Sequence, residues 1–231
     1  VRNNLTSSDN TFIRKTKIND NGEGIIFTTD KKEFRKLVLD KFISESFNKD
    51  INYCRGIAWK NDTVMQSNQV VRTSIFGNDS NIIEINDVLM GYRTITNDKQ
   101  NAVIIQNSAD YRVVEKSGLE ENEYGINGFK VKIREDLAKG KFKFQDIFII
   151  DANDHDNLHL YAQMHDFFSD MGKSNKKAWN KYYAFRRSNL LMKTIDKYKN
   201  GTYRNNGEVI VKDLDYGYFI TAHKAQGSTY Q

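Results

Sequence analysis

The residues with the most chemistry to offer lie late in the sequence. In Tyr218-Phe219-Ile220-Thr221-Ala222-His223-Lys224-Ala225-Gln226-Gly227-Ser228-Thr229 an apolar run passes within a few residues into small, polar, basic and glycine positions. A strand that ends this way offers a phosphate several backbone N–H groups, the Thr221 hydroxyl, the His223 imidazole and the Lys224 ammonium, and Gly227 lets the backbone itself approach closely. That is the local chemistry a nucleotide or a nucleic-acid backbone requires. A His-Lys pair taken alone is more often a solvated loop after a strand; the full pattern is what favours a phosphate.

Other clusters are less specific. Arg55-Gly56-Ile57-Ala58-Trp59-Lys60-Asn61 puts Asn61 directly behind an apolar strand, and Val64, Asn68, Val71 and Arg72 follow at helical spacing. Asn68 and Arg72 on that partly apolar face are either supports or solvated edge residues. Lys173, Lys176, Lys177, Lys181, Arg186, Arg187 and Lys193 interleave with Trp179, Tyr182, Tyr183 and Phe185, a mixture of cations and flat rings that suits single-stranded nucleic acid. More often such a helix buries its aromatics and solvates its lysines. His155 and His159 share a helical face, but no third convincing ligand accompanies them, and Asp154 reads as a helix cap, so no metal site is assigned. The sequence has no G-x-x-x-x-G-K-[ST] phosphate loop. Phe148-Ile149-Ile150-Asp151 is the nearest thing to an acidic strand end of the Walker B kind, and its place after the alternating strands described next argues against that role.

The elements that must position these residues follow from periodicity. Residues 1 to 24 are polar, with a short alternating stretch around Phe12 and Ile18, and read as a surface segment leading in from something earlier. Ile25 to Thr28 reads as a short buried strand. Asp30 and Glu33 then form an N-cap and its reciprocal partner for a helix over 31 to 47 with Phe34, Leu37, Val38, Phe42 and Ile43 on one face. A strand at Cys54 to Trp59 and a helix bearing Val64, Asn68, Val71 and Ile75 complete a strand-helix-strand-helix order, which argues for α/β architecture with a parallel sheet covered by helices. From about Ile82 the pattern changes to short alternating runs, 87–92, 102–106, 111–115, 129–133 and 144–150, which suggest a small antiparallel barrel. Asn107-Ser108-Ala109-Asp110 reads as a hairpin turn between the second and third of them. Helices are expected over 154–171 and from Ser174 to near Gly201, and strands at 209–211 and 216–222.

Composition sets wide bounds. The 231 residues, 39% of them hydrophobic, suffice for a substantial core. The net charge of +5 favours an anionic partner, although 35 basic against 30 acidic residues make a mixed surface. Cys54 is the only cysteine, so no internal disulfide exists, and its apolar surroundings suggest a buried, inert thiol in a reducing compartment. No stretch reaches the roughly 20 apolar residues of a transmembrane helix. The expected setting is cytoplasmic, with no membrane partner.

With these residues in view, strand-T-x-H-K-x-Q-G-S resembles motif V of superfamily-one helicases, especially the RecD-like and phage Dda-like 5′-to-3′ group. The Arg55–Asn61 strand with Asn68 and Val71-Arg72 behind it is similar to the second-domain pattern of that group. Asn86 to Met90 and Gln106 to Val114 resemble the opening strands of its SH3-like insertion, and Val1-Arg2-Asn3 resembles the stretch just past motif IV. The resemblance implies a RecA-like, P-loop NTPase-like second motor domain (UvrD-like C-terminal domain): residues 1–81 as its first part, 82–152 as an SH3-like β-barrel insertion, 153–200 as a helical segment and 201–231 as its last, truncated part. It implies that Asn61, Thr221 and His223 touch the backbone of single-stranded DNA. Lys224, Gln226, Gly227 and Ser228 would couple that track to the nucleotide cleft, and Asn68 and Arg72 would be structural or DNA supports.

ATP and Mg²⁺ are the implied cofactors of the parent enzyme, and the ATP-binding first RecA-like domain of the same parent chain is an implied partner beside the DNA. With no phosphate loop, and ending before the family's later arginine motif, the chain is expected to be an incomplete piece that starts mid-protein and neither hydrolyses ATP nor unwinds DNA alone. Two other readings stay open: a non-catalytic nucleic-acid-binding module with an SH3-like barrel, and an α/β phage or mobile-element protein whose HKAQGS turn is accidental.

Overall fold

The computed structural model describes residues 16–21, 23–97, 99, 102–137, 140–196 and 209–226. The chain divides into two compact units, 1–41 and 42–231. In the first, β1 (Lys17–Ile18) and β2 (Gly24–Ile25) form an antiparallel pair. The expected buried strand at Ile25–Thr28 is therefore half of a two-stranded ribbon, and Ile25, Ile26 and Phe27 are exposed. A two-stranded ribbon leaves both faces open, which is why the apolar run does not become a core strand. At the start of α1 (Lys31–Phe42), Asp30 Oδ1 accepts from Lys32 N at 2.7 Å, as a cap should. Glu33 does not return to the Asp30 backbone; its carboxylate accepts from the Thr28 hydroxyl.

The helix expected over 31 to 47 is broken in two. Ser44 leaves the helical conformation and caps α2 (Glu45–Lys49), its Oγ accepting from Phe47 N at 3.2 Å. In the second unit Phe42 packs edge-on against Phe47, with ring centroids 5.1 Å apart, and against Tyr218 at 5.7 Å.

The larger unit is a mixed α/β structure with two sheets that concern the site. The first is a parallel pair, β3 (Gly56–Ala58) with β14 (Phe219–Thr221), in register Gly56 to Phe219 and Ala58 to Thr221. The helix α3 (Asn61–Phe76) follows β3 directly and buries Val64, Asn68, Val71 and Arg72, one face at the i, i+4, i+7, i+8 spacing.

The second sheet is antiparallel, built from β4 (Val88–Gly91), β7 (Asp110–Lys116), β9 (Asn127–Leu137), β10 (Lys141–Ile150) and β13 (Leu214–Tyr216) in the order β10-β9-β7-β4-β13, with β8 (Glu120–Glu121) on β9. A separate pair, β5 (Ile95–Thr96) with β6 (Val103–Ile105), lies between β4 and β7 in sequence, and β11 (Ile195–Asp196) pairs with β12 (Val209–Ile210). The antiparallel strands expected as a barrel form an open sheet: among the described residues no closed barrel exists, because β10 ends one edge and β13 the other.

Two helices cover this sheet. In α4 (His155–Ser174) Asp154 caps as expected, accepting from Asp156 N at 2.9 Å and Asn157 N at 3.3 Å. A short 3₁₀ turn (Lys176–Ala178) leads into α5 (Trp179–Ser188). The helix expected to reach Gly201 ends at Ser188, because Asn189 bonds back to the Phe185 carbonyl and Leu190 then bridges in parallel to Ile149. Tyr161, Phe185, Ile126, Ile133, Ile149 and Leu191 are wholly buried in the resulting core.

Asn107–Asp110 does turn, but the strands it joins do not pair with each other. Ser108 takes a left-handed φ of 65°, the turn bonds to Gly91 through Ser108 N and Ala109 O, and β6 goes to β5 while β7 goes to β4. Gly91 is required here, since a Cβ would collide with the Gln106 carbonyl.

The expected strand over 216–222 is likewise divided. Residues 214–216 belong to the antiparallel sheet beside β4, and 219–221 to the parallel pair. The chain changes sheets at Gly217–Tyr218, so part of the segment 201–231 completes the sheet that begins in 82–152.

Candidate nucleic-acid interface

The sheet change decides where the motif points, and every polar backbone group that steadies it is identifiable. Gly217 N donates to Val88 O at 2.8 Å, and Gly217 O accepts from the Arg55 guanidinium. Tyr218 O accepts from Gly56 N at 2.9 Å. Asn68 does the rest: its Nδ2 donates to Tyr216 O at 3.1 Å and Phe219 O at 3.2 Å, and its Oδ1 accepts from Phe219 N at 2.7 Å. A buried backbone group left without such a partner is costly, so a side-chain amide that is donor and acceptor at once suits this place.

Arg72, one helical turn on, is also buried. Its Nε and Nη2 donate to the two oxygens of Asp87, both at 2.8 Å, Nη2 also reaches Asn81 O at 2.9 Å, and the guanidinium lies 4.3 Å over the Tyr216 ring. Tyr218 donates its hydroxyl to Asp87 at 2.9 Å, and burial, then that carboxylate, push its pKa well above the ordinary phenol. Asn68 and Arg72 are thus buried among protein partners and present nothing outward.

Beyond Ile220, which is still buried, the chain reaches the surface. Thr221 leaves the strand at φ −73°, ψ 151° and caps the single turn α6 (Ala222–Ala225), its Oγ1 accepting from Lys224 N at 3.3 Å. His223 is exposed, as is Gln226 at the end of the turn; Gly227 and Ser228 lie outside the described residues. Because Thr221 is in register with Ala58, Trp59, Lys60 and Asn61 leave β3 from the edge at which Ala222 and His223 leave β14. Trp59 is 86% exposed, and Asn61 is an exposed first residue of α3, whose N-terminus has no side-chain cap. The register therefore brings Asn61, Thr221 and His223 to one edge. It adds an indole face that the sequence, where Trp59 closes an apolar run, does not single out.

Lys224 behaves differently from its neighbours in the motif. Its ammonium turns inward to Asn107 Oδ1 at 2.9 Å and to Gly91 O and Ser108 Oγ, each at 3.3 Å, and sits 4.4 Å over the Tyr92 ring. Burial, and after it the charge of Lys212, hold the Lys224 pKa below the usual lysine value. Lys212 lies over the same ring at 4.3 Å, and burial together with Asp215 pushes the Tyr92 phenol up to about 12. Lys224 thus ties the exposed turn to the 106–109 turn of the antiparallel region.

Arg55, read from sequence only as part of an apolar strand pattern, is a second tie. It bonds Asp110 Oδ2 at 2.6 Å as well as Gly217 O. No signal short of the fold reveals this, because its partners lie far along the chain. Of the remaining candidates, Cys54 is half-buried rather than buried. Asp151 uses its carboxylate to accept from Asn153 N at 3.0 Å in a local turn. His155 and His159 lie on the first turns of α4.

No protein-family model matches the chain, and no curated protein matches it. No helix among the described residues is long and apolar enough to cross a membrane.

Proposed function

We propose that this chain is the second, RecA-like motor domain of a superfamily-one 5′-to-3′ DNA helicase of the RecD-like and Dda-like group, with its antiparallel region as an SH3-like insertion. On this reading the edge carrying Trp59, Asn61, Thr221 and His223 grips the backbone of single-stranded DNA. The observation that carries it is the parallel register of β3 and β14, by which two segments that resemble different helicase motifs leave one sheet edge together.

Chemically the edge suits a strand of any sequence. Asn61 and Thr221 can donate to phosphate oxygens, His223 can donate from an exposed ring, the uncapped N-terminus of α3 favours negative charge, and Trp59 offers a face for a base. Phosphate contacts read no bases, so translocation would proceed with little sequence preference. ATP and Mg²⁺ would belong to a cleft shared with a first motor domain of the parent chain. The residues here do not fit ATP by themselves, since the sequence lacks a phosphate loop and the Lys224 ammonium is engaged by Gly91, Asn107 and Ser108.

Fluorescence anisotropy with a labelled oligothymidylate tests the reading. Binding should be weak and fall as salt rises. Trp59→Ala should cost about 1–3 kcal/mol of affinity if a base stacks there, and Asn61→Ala and His223→Ala should each weaken binding further. Binding that ignores salt, or that survives all three substitutions unchanged, rejects the assignment.

A further inference from the structure

A cavity of about 500 Å³ opens between β5 and α5, and none of its lining residues belongs to the Thr221–Gln226 turn. Among the described residues the charged groups that line it are Arg93, Arg186 and Arg187. Behind the first two sits Asp213, wholly buried, which accepts from Arg93 Nε, from Arg186 Nη2 at 2.8 Å and from Leu191 N at 2.9 Å. One carboxylate therefore orients two guanidiniums and neutralises one of them.

Arg93 uses Nε for that carboxylate and Arg186 uses Nη2, so the Nη pair of Arg93 and Nη1 of Arg186 are not engaged by Asp213. Arg187, the next residue on α5, adds another positive charge to the lining. Tyr183, one helical turn before Arg187, also lines the cavity with a ring that is 53% exposed, and Asn180 adds an amide.

We propose that this cavity binds a nucleoside phosphate, with Arg93, Arg186 and Arg187 holding the phosphate and Tyr183 stacking on the base. Guanidiniums fixed in advance by a buried carboxylate lose little freedom on binding, and their planar forks match phosphate oxygens. The volume lies within the range of ordinary small-ligand sites. The ligand is either a free nucleotide or one nucleotide of a single strand; the phosphate and base are common to both.

Isothermal titration of the chain at low salt with pyrophosphate, with adenosine monophosphate and with a short oligothymidylate decides the matter. At least one of the three probes should bind. Arg187→Gln should weaken that binding by about tenfold, the scale of one charge-assisted hydrogen bond, whereas Lys177→Gln on the nearby 3₁₀ turn should leave it unchanged. Tyr183→Ala should weaken adenosine monophosphate and oligothymidylate but spare pyrophosphate. Saturation by adenosine monophosphate identifies a free nucleotide, and saturation by oligothymidylate alone identifies a strand.

Arg93→Gln repeats the Arg187 test provided circular dichroism shows the fold intact; if that variant unfolds, Arg187→Gln alone decides. Absence of heat with all three probes up to millimolar concentration overturns the proposal. So does binding that Arg187→Gln leaves unchanged. Oligothymidylate binding abolished by His223→Ala but indifferent to Arg187→Gln assigns the strand to the turn and also overturns it.

Discussion

The antiparallel sheet and the parallel pair are held in place by different physics. The sheet from β4 to β10, under α4 and α5, rests on a continuous apolar core, with Ile83, Val113, Ile126, Ile133 and Ile149 shut off from water. The parallel pair has two strands of three residues, and Ile57 at its centre is 52% exposed. Area burial is non-directional and tolerates small shifts, whereas a hydrogen bond holds a direction. The pair buries Phe219 and Ile220, with Phe219 against Phe42, and takes its direction from Asn68, Arg55 and the Arg72–Asp87–Tyr218 cluster, which the exposed edge inherits. The main apolar core lies in one region, and the polar contacts that orient the candidate interface lie in the other.

The sharpest way to break this contrast is Asp87→Ala. Removing one partner of a buried ion pair leaves Arg72 uncompensated and should cost about 3–5 kcal/mol in a denaturant titration. A loss below about 1 kcal/mol, the scale of an exposed pair, would mean that the cluster does not anchor the pair.

Next in size is Asn68→Ala, which strands the Phe219 amide and should cost roughly 1–3 kcal/mol. Its signature is local: hydrogen exchange at Phe219 should quicken far more than at Ile149. Equal changes at both positions would erase the distinction between the regions.

The smallest effect concerns Glu84, just before β4. Burial alone would raise its pKa, but hydrogen bonds from Lys116 and Asn81 outweigh burial and hold it below the ordinary glutamate value. A carboxylate lowered in the folded state adds stability above its unfolded pKa, and that contribution disappears as the pH falls through the folded value. Glu84→Gln should therefore be less stable than the parent near neutrality and equal to it in strong acid. A gap that persists below the folded pKa would assign the loss to something other than ionisation.

Much of this was legible in the residues, and what was not has identifiable causes. The Asp154 cap stands as read, and of the face read for α3 Val64, Asn68 and Val71 are buried, with Arg72 beside them where Ile75, only half-buried, was expected. The alternating runs mark strands where β4, β6, β7, β9 and β10 occur, but not their partners: two-residue periodicity gives a strand its faces and says nothing about its neighbours.

The division at Gly217–Tyr218 escaped for the same reason, since residues 216–222 look like one strand until two sheets compete for them. The end of α5 depends on Asn189 and Leu190 meeting Phe185 and the β10 edge, and the inward turn of Lys224 depends on the 106–109 turn. Of the candidate interface, Thr221 and His223 were readable as chemistry and Asn61 through the resemblance, while Trp59 became part of it only through register.

The change of sheets at Gly217–Tyr218 also governs the order in which these strands can pair. During synthesis β3 and β4 leave the ribosome well before β14 and β13, their respective partners, which come from one short segment of chain. Until that segment emerges, both strands hold an unpaired edge, and such edges invite the wrong neighbours. A pause before Leu214 therefore exposes two sticky edges together, and a single late stretch of chain closes them both.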